Sequence, residues 1–109
     1  MKVLTVNALV AASHKYGLER GFWNDFRFAV PPNCRPQLLA SKLMLVVCEA
    51  AEAVEALRNG DAANLTEELA DIMLRVADLA GYLEIDLEAA LYAKMKTNAN
   101  REFKHGKRF

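Results

Sequence analysis

Apolar positions at Val3, Val6, Leu9 and Val10, then Ala12 and Tyr16, recur at nearly helical spacing and predict a first helix over residues 2–19, ended by Gly17 or Gly21. Residues 21–36 break that pattern. Gly21, Pro31, Pro32, Asn33 and Pro36 disfavour continuous helix, and Phe22, Trp23, Phe26 and Phe28 read as aromatic anchors of an ordered connection. From Gln37 to Arg58 the chain lacks Gly and Pro and is rich in Leu, Met and Ala, which predicts a second helix stopped by Asn59-Gly60. Asn64 with Glu67 three positions on has capping-box spacing, so a third helix is expected from Asn64 to about Leu83. Asp86 can cap a fourth through about Phe103, leaving Lys104 to Phe109 as a basic tail. No alternating strand pattern, internal repeat or low-complexity tract interrupts this reading.

Four helical segments, two of them joined by a five-residue link after Arg58, predict an all-α antiparallel four-helix bundle. The even spread of apolar residues over 109 positions offers no boundary, so residues 1–109 are expected to form one domain. Helices two and three are apolar on almost every face, more than one chain of this size can hide, which predicts an oligomeric helical core in a homodimer or homotetramer. Met44, Met73 and Met95 fall at helical positions suited to core packing.

Composition adds mostly exclusions. With 53% hydrophobic and 26% charged residues the chain can bury a core. Fourteen basic residues balance fourteen acidic ones, so no nucleic-acid footprint and no acidic membrane surface is indicated. No segment approaches the roughly 20 apolar residues needed to span a bilayer. Lys2 to Ala12 loosely imitates a signal peptide, but Thr5 and Asn7 interrupt it, and a cytoplasmic location is expected. Cys34 and Cys48 lack CxxC spacing; both read as reduced thiols, with Cys48 buried as a small hydrophobe.

The chemistry lies in the acids. Glu49 and Glu52 are three positions apart, as are Glu68 and Asp71, so each pair projects from one side of its helix, about 60° apart at roughly 100° per residue. Leu45, Ala53 and Ala56 surround Glu49 on a helical wheel, an apolar setting in which an ionised carboxylate needs neutralising. Glu52 and Glu68 each lie eight positions from Gly60, and Glu49 and Asp71 each lie eleven, so an antiparallel hairpin brings the four groups to matching heights. Four carboxylates with neither His nor Cys make an oxygen-only site suited to Mg²⁺, with Mn²⁺ as substitute. The plainer alternative is a solvated acidic face with Asp71 and Arg75 as an i,i+4 ion pair. Glu55, near Arg58, reads as a surface residue or one supporting the ligands from behind, rather than as a ligand.

At these residues the sequence resembles the MazG-like, all-α nucleoside triphosphate pyrophosphohydrolases. The family's ExxE, spacer, ExxD signature is matched by Glu49-Ala50-Ala51-Glu52, fifteen residues, then Glu68-Leu69-Ala70-Asp71. The likeness extends to Gly21-Phe22-Trp23 after a His-bearing helix, to Glu67 through Asp71 running on to Arg75 and Asp78, and to Lys94, Asn98 and Arg101 followed by His105-Gly106-Lys107. One departure is Glu102, where relatives with a similar tail often place proline. The resemblance implies hydrolysis of a (deoxy)nucleoside triphosphate to the monophosphate and pyrophosphate, with Glu49, Glu52, Glu68 and Asp71 as Mg²⁺ ligands in a multimer.

Lys94, Asn98 and Arg101 recur at i, i+4 and i+7 and form a polar stripe suited to substrate phosphates, unless it is an ordinary basic face near a helix C-terminus. His14 and Trp23 are candidates to contact the base, with Trp23 alternatively a core anchor of the loop. A different class of function, a non-catalytic helical module that binds nucleotides or partners through the same faces, is the alternative to the enzyme.

Overall fold

A computed structural model describes residues 3–29 and 31–109, without the side chains of Phe28 and Ala29. The side chain of the anchor expected at Phe28 lies outside what is described, whereas the helix expected from residue 2 is corrected: residues 3–5 are not helical, and the helix starts only after the Thr5 cap. Thr5 opens α1 (Val6–Glu19), its hydroxyl accepting from the Ala8 N–H at 3.0 Å. Gly21, at φ +82°, turns the chain away in a conformation that side chains resist. The connection holds a π-helical turn (Asp25–Ala29) and a 3₁₀ turn (Pro32–Cys34).

Helix α2 (Arg35–Arg58) begins two residues before the expected Gln37, because Pro36 falls in the first turn, where its missing N–H is not needed. Gly60, at φ +64°, makes the turn into α3 (Ala62–Tyr82). The expected cap at Asn64 is corrected: Asp61 is the cap, accepting from the Asn64 N–H at 3.0 Å, so Asn64 is already helical and Glu67 is released from a capping box. Asp86 caps α4 (Leu87–Ala99) as expected, through the Ala89 N–H. The helix stops at Ala99 rather than near Phe103. There Asn100 Nδ2 donates to the Lys96 carbonyl at 3.1 Å and takes up an acceptor of the last turn. A short 3₁₀ turn (Phe103–Gly106) follows.

Among the described residues the protein is helical and has no strand, and no helix is long and apolar enough to cross a membrane. Helix α3 is central: α2 folds back along one side of it and α1 packs along another, while α4 meets the rest chiefly at α1. There Asn7 donates through its backbone and side-chain nitrogens to the Glu88 carboxylate. The α1–α3 crossing is close because small residues face large ones. A methyl on Gly81 would lie 2.5 Å from His14 Cβ, and one on Gly17 would lie 2.6 Å from an Asp78 carboxylate oxygen. Trp23, Phe26 and Leu79 form the buried cluster, with Leu38, Leu39 and Tyr82 against it.

Two expectations about burial are corrected within the single chain. Cys48 is exposed, and Met44, Met73 and Met95 are each more than half exposed. The radius of gyration, 16.5 Å, exceeds the ~13 Å of a compact domain of this length. Leu43, Val47, Val54 and Leu57 of α2 and Leu69 and Met73 of α3 remain exposed in the single chain.

Candidate active site

Each acid pair comes from one turn of an uninterrupted helix, and the tight Gly60 turn sets the two pairs against one another. Carboxylate oxygens of Glu49, Glu68 and Asp71 lie within 4.8 Å of one another. Glu52 stands outside this closest three, yet its carboxylate is near enough to act on both Glu49 and Glu68.

Glu49 is only 8% exposed, with buried Ala53 and Ala56 on the same helix. Arg75 provides the neutralisation that this setting demands, its Nε donating to Glu49 Oε1 at 2.8 Å. The Arg75 hydrogen bond holds the Glu49 carboxyl below its ordinary range, against the opposing pull of burial and with help from Glu68 and Glu52. Arg75 thus pairs across to α2 and not with Asp71 one turn away on its own helix, which removes the simple i,i+4 reading.

Glu68 moves in the opposite direction. Its hydrogen bond to Glu49, its loss of water and the neighbouring Glu52 carboxylate push it up to about 7. One of its oxygens, Oε2, is buried and has no hydrogen-bond partner. A buried acceptor without a donor, beside two more carboxylates, is a site short of positive charge. The donor set fits a hard divalent cation such as Mg²⁺, which takes oxygen ligands and compensates this deficit.

The cluster opens into a cavity of about 540 Å³. Glu49, Asp71, Arg75 and Asp78 contribute its polar wall, and Leu9, Ala12, Tyr16, Phe22 and Leu74 its apolar one. Ser13 also lines it, with an Oγ that is buried and without a hydrogen-bond partner.

His14 and Trp23 are brought together, 5.5 Å between ring centroids, but not as an open base platform. Trp23 is 1% exposed, stacks on Tyr82 at 4.3 Å and donates from Nε1 to Asp78 Oδ1 at 2.8 Å, so the core-anchor reading is the one that the packing carries. His14 meets the same carboxylate at 2.9 Å through Nδ1.

Lys94 and Asn98 lie on the exposed α4, and none of Lys94, Asn98 and Arg101 lines the cavity. Because α4 ends at Ala99, Arg101 has left the helix, and the three do not form one helical face; His105, at φ +52°, does not extend one either. Sequence reasoning missed Arg75 and Asp78 as members of the site. A signal was available: Glu68, Asp71, Arg75 and Asp78 recur at i, i+3, i+7 and i+10, a charged stripe along an otherwise apolar α3.

No curated protein and no solved structure matches this sequence. A family model, the MazG nucleotide pyrophosphohydrolase domain, matches residues 37–103. That span is more than half of the chain and runs from the start of α2 to beyond α4, carrying both acid pairs and the turn that joins them. The chain therefore belongs to the MazG nucleotide pyrophosphohydrolase family.

Proposed function

We propose that the protein hydrolyses a (deoxy)nucleoside triphosphate to the monophosphate and pyrophosphate in an Mg²⁺-dependent reaction that clears unwanted nucleotides from the pool. The observation that carries this reading is the convergence of Glu49, Glu68 and Asp71 around a buried carboxylate oxygen that lacks a partner. Mg²⁺ held there would supply charge neutralisation for phosphate oxygens and would make a water more acidic.

The chain's own residues supply the rest. Glu49, Glu68 and Asp71 would hold the ion, with Glu52 completing the set. Glu52, standing outside the closest three, is also placed to orient the attacking water or take its proton. The water oxygen then bonds to the α-phosphorus, the bridge to the β-phosphate breaks, and pyrophosphate departs with the electron pair. The nucleoside end fits the apolar wall of the 540 Å³ cavity, beside Tyr16 and Phe22. His14 and the indole of Trp23 act through Asp78, which both hold in the polar wall of the cavity. Arg75 lines the cavity, whereas Lys94 and Arg101 reach phosphates only if α4 and the segment after it are brought over the site by assembly.

Assembly as a homodimer or homotetramer is part of the same proposal. Leu43, Val47, Val54 and Leu57 on α2 are each at least half exposed and repeat with the 3.5-residue period of a helix-packing seam.

The test is a screen of common and modified (deoxy)nucleoside triphosphates with Mg²⁺, resolving monophosphate and pyrophosphate. Glu52→Gln and Asp71→Asn are expected to lower turnover by more than ~100-fold while the helical signal survives. Full activity in either variant removes the metal assignment. Nucleotide-dependent thermal stabilisation without turnover assigns a binding module instead.

A further inference from the structure

Arg75 neutralises the very carboxylate that the proposed metal ion requires, Nε to Glu49 Oε1 at 2.8 Å. A divalent cation arriving among Glu49, Glu68 and Asp71 sets like charge against the guanidinium in a partly buried site, where repulsion is much stronger than in water. An anion placed between them resolves that conflict.

A neighbouring cavity brings a second cation to Arg75, with the Asp78 carboxylate also in its wall. Arg75 also lines a second cavity of about 190 Å³, together with Lys42, Trp23 and Leu45. The two cavities share Phe22, Arg75 and Asp78, so they adjoin. Lys42 holds its ammonium over the Trp23 ring, 4.6 Å from the centroid, and donates to the Phe22 carbonyl. Burial lowers its proton affinity below the ordinary lysine range; Asp78 and Asp25 oppose that shift and Arg75 adds to it. Two cations partly withdrawn from water and close enough to repel one another are a ready receptor for phosphate oxygens.

We propose that Arg75 exchanges its partner: when a divalent cation occupies the acid cluster, Arg75 turns from Glu49 to the β- and γ-phosphates of the substrate, and Lys42 receives the same anion from the adjoining cavity. The proposal rests on the pyrophosphohydrolase reading of the acid cluster. It assigns the phosphate tail, and afterwards the pyrophosphate product, to residues of α2 and α3. It also makes metal and anion mutually dependent, because each removes a charge that opposes the other, and such coupling is reciprocal.

Isothermal titration of the full chain tests this, with Mg²⁺ alone and with premixed Mg-pyrophosphate titrated into Mg²⁺-saturated protein. Lys42→Gln and Arg75→Gln are each expected to weaken Mg-pyrophosphate by about tenfold or more. Arg75→Gln is expected, in addition, to tighten Mg²⁺ alone, since it removes the competing cation; Lys42→Gln is not. A merely structural Arg75 would leave Mg²⁺ affinity unchanged or weaker, and that result overturns the exchange. Circular dichroism checks that each variant folds. If Arg75→Gln does not, Arg75→Lys replaces it, and the Lys42→Gln result decides the anion site by itself. Unchanged Mg-pyrophosphate affinity in the Lys42 variant, or a loss in Lys94→Ala instead, also overturns the proposal. A wild-type protein that cleaves no nucleotide yet loses Mg-pyrophosphate in both variants keeps the anion site and discards the enzyme. Cleavage by wild type with unchanged affinity in both variants does the reverse.

Discussion

His14 Nδ1 lies 2.9 Å from Asp78 Oδ1, and the two residues, 64 positions apart, tie α1 to α3. The same oxygen accepts the Trp23 Nε1 hydrogen at 2.8 Å. An indole nitrogen only donates, so Asp78 Oδ1 is the acceptor for Trp23, and the same oxygen meets His14 Nδ1. Asp78 thus fixes the connection after α1 to the central helix at the wall of the large cavity.

Removing that acceptor strands a Trp23 N–H that is 1% exposed. Asp78→Ala is expected to cost about 2–3 kcal/mol in urea unfolding, and Asp78→Asn, which still offers an oxygen, about 1 kcal/mol. An Asp78→Ala protein as stable as wild type would show that Trp23 does not depend on this bond.

Gly81 gives a second test of the same crossing. Alanine would ordinarily strengthen a helix interior by about 1 kcal/mol relative to glycine. Here its methyl would meet His14 Cβ at 2.5 Å, backbone-near atoms that cannot swing aside. Gly81→Ala is therefore expected to lower the melting temperature, with a net loss of about 1–2 kcal/mol as overpacking outweighs propensity. A rise in melting temperature would mean that α1 is free to move outward.

How much of this was legible beforehand follows from the range of the interactions involved. The four main helices were readable because apolar periodicity, Asn59-Gly60 and the Asp86 cap act over a few residues. The meeting of Glu49, Glu68 and Asp71 was readable because one tight turn converts equal spacing about Gly60 into equal height. The α3 cap was misread since Asp61 and Asn64 are both good caps three residues apart, and the side chain next to the turn prevailed. Arg75's choice of Glu49, 26 positions away, over Asp71, four away, depends on which carboxylate is the less solvated, and no spacing rule contains that. The methionines were misplaced for a related reason: an apolar pattern marks surface that avoids water without saying whether its own chain covers it.

That uncovered surface leads to a prediction about assembly. The apolar seam of α2 and the exposed Leu69 and Met73 of α3 should be buried between copies. Light scattering behind gel filtration is expected to find a dimer or larger, and Val47→Glu or Met73→Glu to shift it toward the monomer with a lower melting temperature. A wild-type protein that elutes as a monodisperse monomer at micromolar concentration would refute the assembly.

The two glutamates that share the cluster should make stability depend on pH in opposite senses and separate windows. Glu68 is pushed up to about 7 from an ordinary 4.5, so between those values the folded protein binds a proton that the unfolded chain has released. Its contribution is complete below about pH 4.5 and is lost as pH rises through about 7. Glu49 is held below 4.5 by Arg75, so its contribution is present above that value and disappears as pH falls beneath it. Metal-free protein should therefore lose stability from this cluster between about pH 5 and 7, a slope that Glu68→Gln removes. Saturating Mg²⁺ should flatten the same slope, because the cation takes the place of the proton on the crowded carboxylates, and its binding below pH 7 should release protons that a change of calorimetric buffer reveals. A denaturation midpoint with the same pH dependence in EDTA and in Mg²⁺ would mean that the ion does not bind at Glu68.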